Sequence, residues 1–142
     1  MGNVLAPGLV IYLEGDLGAG KTTLVRGLLR GLGYAEKVKS PTYTLVEEYR
    51  ASGLDLFHFD FYRFTRPEEY LDAGLDEHFA GAGICLVEWP RNAAPYLPPA
   101  DILIALAVVG EGRSAVVSAH SERGNACLTN FQTSFQTPVA LR

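Results

Sequence analysis

A chain of 142 residues, 48% hydrophobic and 20% charged, is long enough to bury one core and is expected to form one globular domain over residues 1–142. Its formal net charge of −4 argues against a stand-alone nucleic-acid binder, because no basic stripe would neutralise phosphates, although a local basic patch stays open. No leader pattern or membrane-length apolar run is visible, and Cys85 and Cys127 form no CxxC pair, so the expected compartment is the cytoplasm, with reduced thiols.

Residues 1–8 are a short lead-in. Residues 9–14 (LVIYLE) form a short apolar run with β-branched and aromatic members, which reads as a buried strand. Gly15-Asp16-Leu17-Gly18-Ala19-Gly20-Lys21-Thr22 follows and matches G-x-x-x-x-G-K-[ST], the phosphate-binding loop of nucleoside triphosphatases. Residues 22–32 then place Leu24, Val25, Leu28, Leu29 and Leu32 on one helical face, with Arg26 and Arg30 off it. Gly31 and Gly33 supply left-handed stop positions for that helix. The motif therefore lies between a strand and a helix. Its glycines let successive N–H groups point into one concavity, which the positive end of the helix dipole also faces. Lys21 adds a charge for the β- and γ-phosphates, and the Thr22 hydroxyl is suited to ligate Mg²⁺. The chain is expected to bind a nucleoside triphosphate through Gly15, Asp16, Gly18, Ala19, Gly20, Lys21, Thr22 and Thr23.

Residues 38–43 (VKSPTY) read as a polar loop fixed by Pro41, and residues 44–49 (TLVEEY) as a strand. Ala51-Ser52-Gly53 turns that strand into a second over residues 54–61 (LDLFHFDF), giving a hairpin. In the second strand Phe57, Phe59 and Phe61 share one face, the core face. His58, Asp60 and Tyr62 share the other, which must look at water or at a site, because a carboxylate is rarely buried unpaired. Residues 67–71 (PEEYL) open a helix with Pro in the first turn and acids near the positive dipole end, and a second helical piece spans 75–79. After a breaker at 81–83, residues 84–87 (ICLV) form a continuous apolar strand ending on Glu88-Trp89-Pro90.

Residues 91–100, with prolines at 95, 98 and 99, read as an exposed loop. Residues 101–109 and 113–119 form another hairpin around Gly110-Glu111-Gly112. From residue 121 the pattern weakens, so one short helix and a mobile tail are expected over about 122–142. Strand–loop–helix first, hairpins later and a central apolar strand imply an α/β sandwich with a mixed sheet.

A phosphate loop needs a second carboxylate for Mg²⁺, usually at the end of a neighbouring apolar strand, and Glu88 fits that position. Asp60 is exposed by the alternation argument and is suited to orient an attacking water or complete the outer Mg²⁺ shell; an ion pair with Arg63 is the plainer alternative. Thr42 fits either a switch residue ordered by the γ-phosphate and Mg²⁺ or a simple turn threonine. Trp89 either stacks at the site or anchors its loop. His58, His78 and His120 lack metal-ligand spacing, and none is assigned to a metal.

Taken together, GDLGAGKTTLVRGL, SPTYTLVEEY, HFDFYR, ICLVEWP and the GR of the last hairpin resemble the bacterial TsaE (YjeE) family over roughly residues 9–119. That resemblance implies a P-loop NTPase-type α/β sandwich with a mixed, partly antiparallel central sheet. It implies ATP as substrate, Mg²⁺ as cofactor and slow hydrolysis stimulated by TsaB and TsaD partner proteins, in the formation of threonylcarbamoyladenosine at position 37 of tRNA. Lys21 and Thr22 carry over as phosphate and magnesium residues, Glu88 as the second Mg²⁺ carboxylate, and Asp60 as a residue needed for turnover. Ser40 and Thr42 look like the switch-type contact near the γ-phosphate, and Arg113 like an arginine that reaches the nucleotide. Contact with tRNA is expected only within the assembly, with no membrane or DNA involved. Family members usually carry a strand and helix ahead of the phosphate-loop strand, including a threonine near the adenine. Residues 1–8 are too few to supply them: either the start is misplaced or the element is missing, and in the second case a sheet edge or hydrophobic patch on the adenine side is expected to lie uncovered.

Two other readings use the same loop. A small-molecule kinase would need an acceptor pocket and an arginine-bearing lid, for which Arg63, Arg66 and Arg91 are few and scattered. A nucleotide-gated binding module would need ATP only to fix the loop around Thr42, and would not need Asp60.

Overall fold

The computed structural model describes residues 5–16 and 18–134. Six strands form one sheet in the order β2-β3-β4-β1-β5-β6. They are β1 (Val10–Glu14), β2 (Val46–Ala51), β3 (Leu54–Asp60), β4 (Ile84–Glu88), β5 (Ile102–Val109) and β6 (Gly112–Ala119). The four inner strands run parallel, through β3–β4, β4–β1 and β1–β5 pairing, while β2 and β6 pair antiparallel at the two edges. The mixed α/β sandwich expected from the sequence is the architecture observed.

The apolar content of each strand matches its place. Central parallel strands are covered on both faces and need continuous apolar runs; all five residues of β4 are buried. One face of the sheet packs Leu9, Ile11, Leu13, Leu56, Leu86, Ile102 and Ile104 against Val25 and Leu29 of helix α1 (Lys21–Gly31) and Leu32, its C-cap. The opposite face gathers Phe59, Phe61, Cys85 and Val87 under Tyr70 and Leu75. These last two come from the short helix α2 (Glu69–Asp72) and the 3-10 turn Leu75–Phe79 that follows it. Phe59 lies 5.0 Å from Phe79 and Phe61 4.7 Å from Phe64, both stacked, so the phenylalanine face of β3 is core as expected.

Four local expectations differ. β2 begins at Val46 rather than residue 44, because Leu45 turns left-handed (φ 71°) and its N–H closes on the Pro41 carbonyl at 2.8 Å. The helix expected to open at residue 67 begins at Glu69, with Pro67 outside it, while the helical piece expected at 75–79 is present as a 3-10 turn. The segment after β4 is less exposed than its prolines indicate: Pro90–Ala93 forms a 3-10 turn, and Pro90, Ala93 and Ala100 are buried. Helix α3 (Glu122–Ser134) is longer than the short helix expected, and the expectation of a mobile tail after it lies outside the described residues.

The amino end of the parallel strands is tied by one buried carboxylate. Asp101 accepts the Val10 N–H at 2.8 Å and the Ser121 hydroxyl at 2.6 Å, and Arg123 approaches it at 3.5 Å. That arrangement docks the start of α3 and leaves the opposite, carboxyl end of the strands for the site.

Candidate functional site

The site forms where the carboxyl ends of β1, β3 and β4 meet the amino end of α1. In the ladder Asp60 stands beside Glu88, and Glu88 beside Leu13 at the end of β1. The strand ends thus deliver two acids to the mouth of the loop joining β1 to α1. Gly15 makes that loop possible: its φ is 148°, and a Cβ there would lie 2.6 Å from the Leu106 carbonyl oxygen. Gly20 stands at the N-cap of α1 with φ 102°, no side-chain cap bonds to the helix, and its first turn holds no acid. The free N–H groups and dipole of α1 are therefore available to an anion.

A cavity of about 1580 Å³ opens over this loop. Gly18, Ala19, Gly20, Lys21, Thr22, Thr23, Thr42, Asp60, Glu88 and Arg113 all line it. Its far part is apolar, walled by Leu24 and Leu28 of α1 and by Leu106 and Val117 of the last hairpin. On the apolar stripe of α1, Val25 and Leu29 are fully buried, while Leu24 and Leu28 pack against that core and also line the cavity. Gly15 and Asp16 sit behind the lining, where their carbonyls accept from the Lys21 ammonium, the Asp16 contact at 3.3 Å. Ser40 stands one step away, its hydroxyl 2.7 Å from that of Thr42.

The two acids are buried, and each is held. Thr22 donates its hydroxyl to Glu88 Oε2 at 2.9 Å, and His58 Nε2 lies 2.6 Å from the same oxygen. Asp60 accepts the Tyr62 N–H at 2.9 Å and the Thr42 hydroxyl at 3.3 Å. The alternation on β3 thus turns His58 and Asp60 toward a site, not toward water, and only Tyr62 of the three is exposed. The plain Asp60–Arg63 ion pair does not form. Arg63 stacks on Tyr43 instead, 4.3 Å from its ring centre, and donates to its hydroxyl at 3.1 Å.

Burial raises the Asp60 carboxyl above its ordinary range and Glu88 adds to the rise, against the opposing hydrogen bond from Tyr62. Burial lowers the Lys21 ammonium, opposed by Glu88, Asp60 and Asp16. Lys21 also sits 4.1 Å over the ring of Trp89. Trp89 adopts φ 58°, ψ 50°, a left-handed conformation that a bulky residue holds only when its surroundings over-determine it. Of the two roles open to Trp89 in the sequence, the geometry places it at the site. Arg113 donates back to the Gly112 carbonyl at 3.0 Å, and its Nε lies 4.0 Å from where a Gly20 Cβ would stand, so the guanidinium overlies the loop.

Magnesium fits this donor set. A hydroxyl and a carboxylate are hard oxygen ligands, and Mg²⁺ characteristically takes one or two protein oxygens and completes its shell with phosphate and water. Among the described residues no group of three or more His, Cys, Asp or Glu side chains could hold a metal ion. His58 is the residue that sequence reasoning left without a role. Its signal was present in the alternation that put it on the face of Asp60.

A glycine-rich loop between a buried parallel strand and an uncapped helix, with a carboxylate from the adjacent strand on the loop's threonine, defines a P-loop fold. The family model described as "Threonylcarbamoyl adenosine biosynthesis protein TsaE" matches residues 1–115. The chain is 45% identical to the tRNA threonylcarbamoyladenosine biosynthesis protein TsaE of Haemophilus influenzae, over 87% of this chain and 78% of that protein. It is 40% identical to the TsaE of Treponema pallidum, over 84% of this chain and 87% of that one. The crystal structure of YdiB from Bacillus subtilis superimposes with a TM-score of 0.78 at 34% identity, covering 94% of this chain and 82% of that chain. The chain belongs to the TsaE family. No helix among the described residues is long and apolar enough to cross a membrane.

Proposed function

We propose that this chain is a magnesium-dependent ATPase that acts in tRNA threonylcarbamoyladenosine biosynthesis in the cytoplasm, together with TsaB- and TsaD-like partners. The observation that carries the reading is the Thr22–Glu88 contact at the mouth of an uncapped helix, with Lys21 beside it. The contact spends the hydrogen of Thr22 on Glu88 and leaves the hydroxyl lone pairs for a cation. Bound there by Thr22 and Glu88, Mg²⁺ would neutralise charge on the β- and γ-phosphates.

The remaining roles belong to the chain's own groups. Lys21 moves from the loop carbonyls to the phosphates, and the N–H groups from Gly18 to Thr23 cradle them. Asp60 orients water for attack on the γ-phosphorus; its raised pKa suits it to take the proton as the bond from phosphorus to the leaving oxygen breaks. Thr42, bonded to Asp60 and beside Ser40, links that carboxylate to the loop before β2. Arg113 overlies the loop on the side of the last hairpin and adds positive charge there. The arginines that a kinase lid would need are engaged elsewhere, Arg63 on Tyr43 and Arg66 with Glu68 and Asp72, which favours hydrolysis over transfer to an acceptor.

The test is ATP hydrolysis by the native chain and by Lys21→Ala, Asp60→Ala and Glu88→Ala, each with and without the TsaB–TsaD pair. Weak basal activity, stimulation by the partners and losses of roughly 10²- to 10³-fold in the variants are expected. Equal stimulation of native and Glu88→Ala protein would remove Glu88 from the site. Support of tRNA modification by Asp60→Ala would favour the gated binding module.

A further inference from the structure

His58 is completely buried in the middle of the sheet, an unusual place for an imidazole that touches no ligand. Its Nε2 lies 2.6 Å from Glu88 Oε2, and its Nδ1 is a buried nitrogen without a hydrogen-bond partner among the described residues. A carboxylate can only accept, so the proton is on Nε2; on Nδ1 it would be buried with nothing to receive it. Glu88 Oε2 therefore accepts twice, from His58 below and Thr22 above, while Oε1 enters no hydrogen bond among the described residues.

From this arrangement we infer that His58 is a positioning residue for magnesium. Its Nε2–H pins one oxygen of Glu88, which fixes the carboxylate plane and leaves the other oxygen for the cation. A buried carboxylate without this donor can rotate, and turning toward the metal would then cost ordering of its side chain. Hydrogen bonds to a ligating carboxylate act in this way, and their loss typically weakens metal binding by about 10–100-fold. The role rests on the magnesium reading of Thr22 and Glu88 given above.

The test measures the dissociation constant of Mn²⁺, as a paramagnetic stand-in for Mg²⁺, by electron paramagnetic resonance on the full chain with ADP bound. ADP affinity in the presence of EDTA is measured alongside. The proteins are native, Glu88→Ala, His58→Leu and His58→Gln, whose amide nitrogen stands the same number of bonds from Cβ as Nε2 of histidine. Expected are Mn²⁺ binding by the native complex, its loss in Glu88→Ala, and about 10–100-fold weaker binding in His58→Leu. Metal-free ADP affinity should not change in His58→Leu, and His58→Gln should restore Mn²⁺ binding to near the native value. Native-like Mn²⁺ binding in His58→Leu overturns the inference and leaves the magnesium reading standing, as does equal weakness in His58→Leu and His58→Gln. Failure of the native complex to bind Mn²⁺ overturns both. If His58→Leu does not fold, His58→Asn, whose amide stops short of Glu88, takes its place against His58→Gln with the same outcomes.

Discussion

Glu69 shows how much one exposed carboxylate can organise. A single oxygen, Oε2, accepts the Thr65 N–H at 2.6 Å, the Arg66 N–H at 3.0 Å and the Thr65 hydroxyl at 3.3 Å, fixing the turn that enters α2. The Arg66 and Thr65 amides hold its carboxyl below the ordinary glutamate value of 4.5. Because the folded-state pKa is depressed, Glu69 stabilises the fold fully above about 4.5, and that contribution fades as pH falls through the folded value. Glu69→Gln should therefore melt below the native protein at neutral pH, and the gap should close in acid; a gap that widens in acid would reverse the sign. At this scale the site was legible wherever a residue's chemistry was tied to a motif. Lys21, Thr22 and Glu88 stand where a phosphate loop and a strand-end acid require them. His58 was not legible, because whether a histidine on a polar strand face meets solvent or a carboxylate depends on a neighbouring strand 30 residues away in sequence.

Elements were legible where burial and sequence agree, and shifted where a tertiary contact decided the boundary. β4 carries the apolar run marked at residues 84–87 and extends one residue further, to Glu88. β2 starts late because the Pro41 carbonyl captures the Leu45 N–H, and the Leu45 carbonyl in turn accepts the Asp60 N–H at 3.1 Å. Helix α3 has a weak amphipathic pattern, and beside its ties to Asp101 and the burial of Cys127 it is placed by a close backbone approach. A Cβ on Gly124 would lie 1.9 Å from the Asp101 carbonyl oxygen, closer than any side chain tolerates, so this helix meets the residue that precedes β5 through bare backbone. Gly124→Ala should cost about 1–3 kcal/mol by overpacking. Gly27→Ala, in α1 with no neighbour within 4 Å of the added atom, should stabilise by about 0.5–1 kcal/mol. Urea denaturation of the pair checks both signs. Equal effects would mean that α3 shifts to make room.

Across the whole molecule, the two ends of the parallel strands do different work. Asp101, Ser121 and Arg123 tie the amino ends to α3, while the carboxyl ends of β1, β3 and β4 present Glu88 and Asp60 to the loop. The sequence supports the division because a continuous apolar strand ending in an acid, next to a glycine-rich loop, requires parallel neighbours. The two hairpins read from the sequence supply the edge strands, β2 and β6, and β6 carries Val116 exposed.

Trp89 is the chain's one tryptophan, and its indole lies 4.1 Å beneath the Lys21 ammonium. Excited selectively over the tyrosines, its emission is therefore a signal from a single address, with no second indole elsewhere in the chain. A ligand that draws Lys21 off the ring should change both intensity and wavelength of that emission, giving a label-free titration of site occupancy. Lys21→Met, which has no charge to withdraw, should lose most of the change on adding ATP. An undiminished response in that variant would mean that the indole senses something other than the lysine above it.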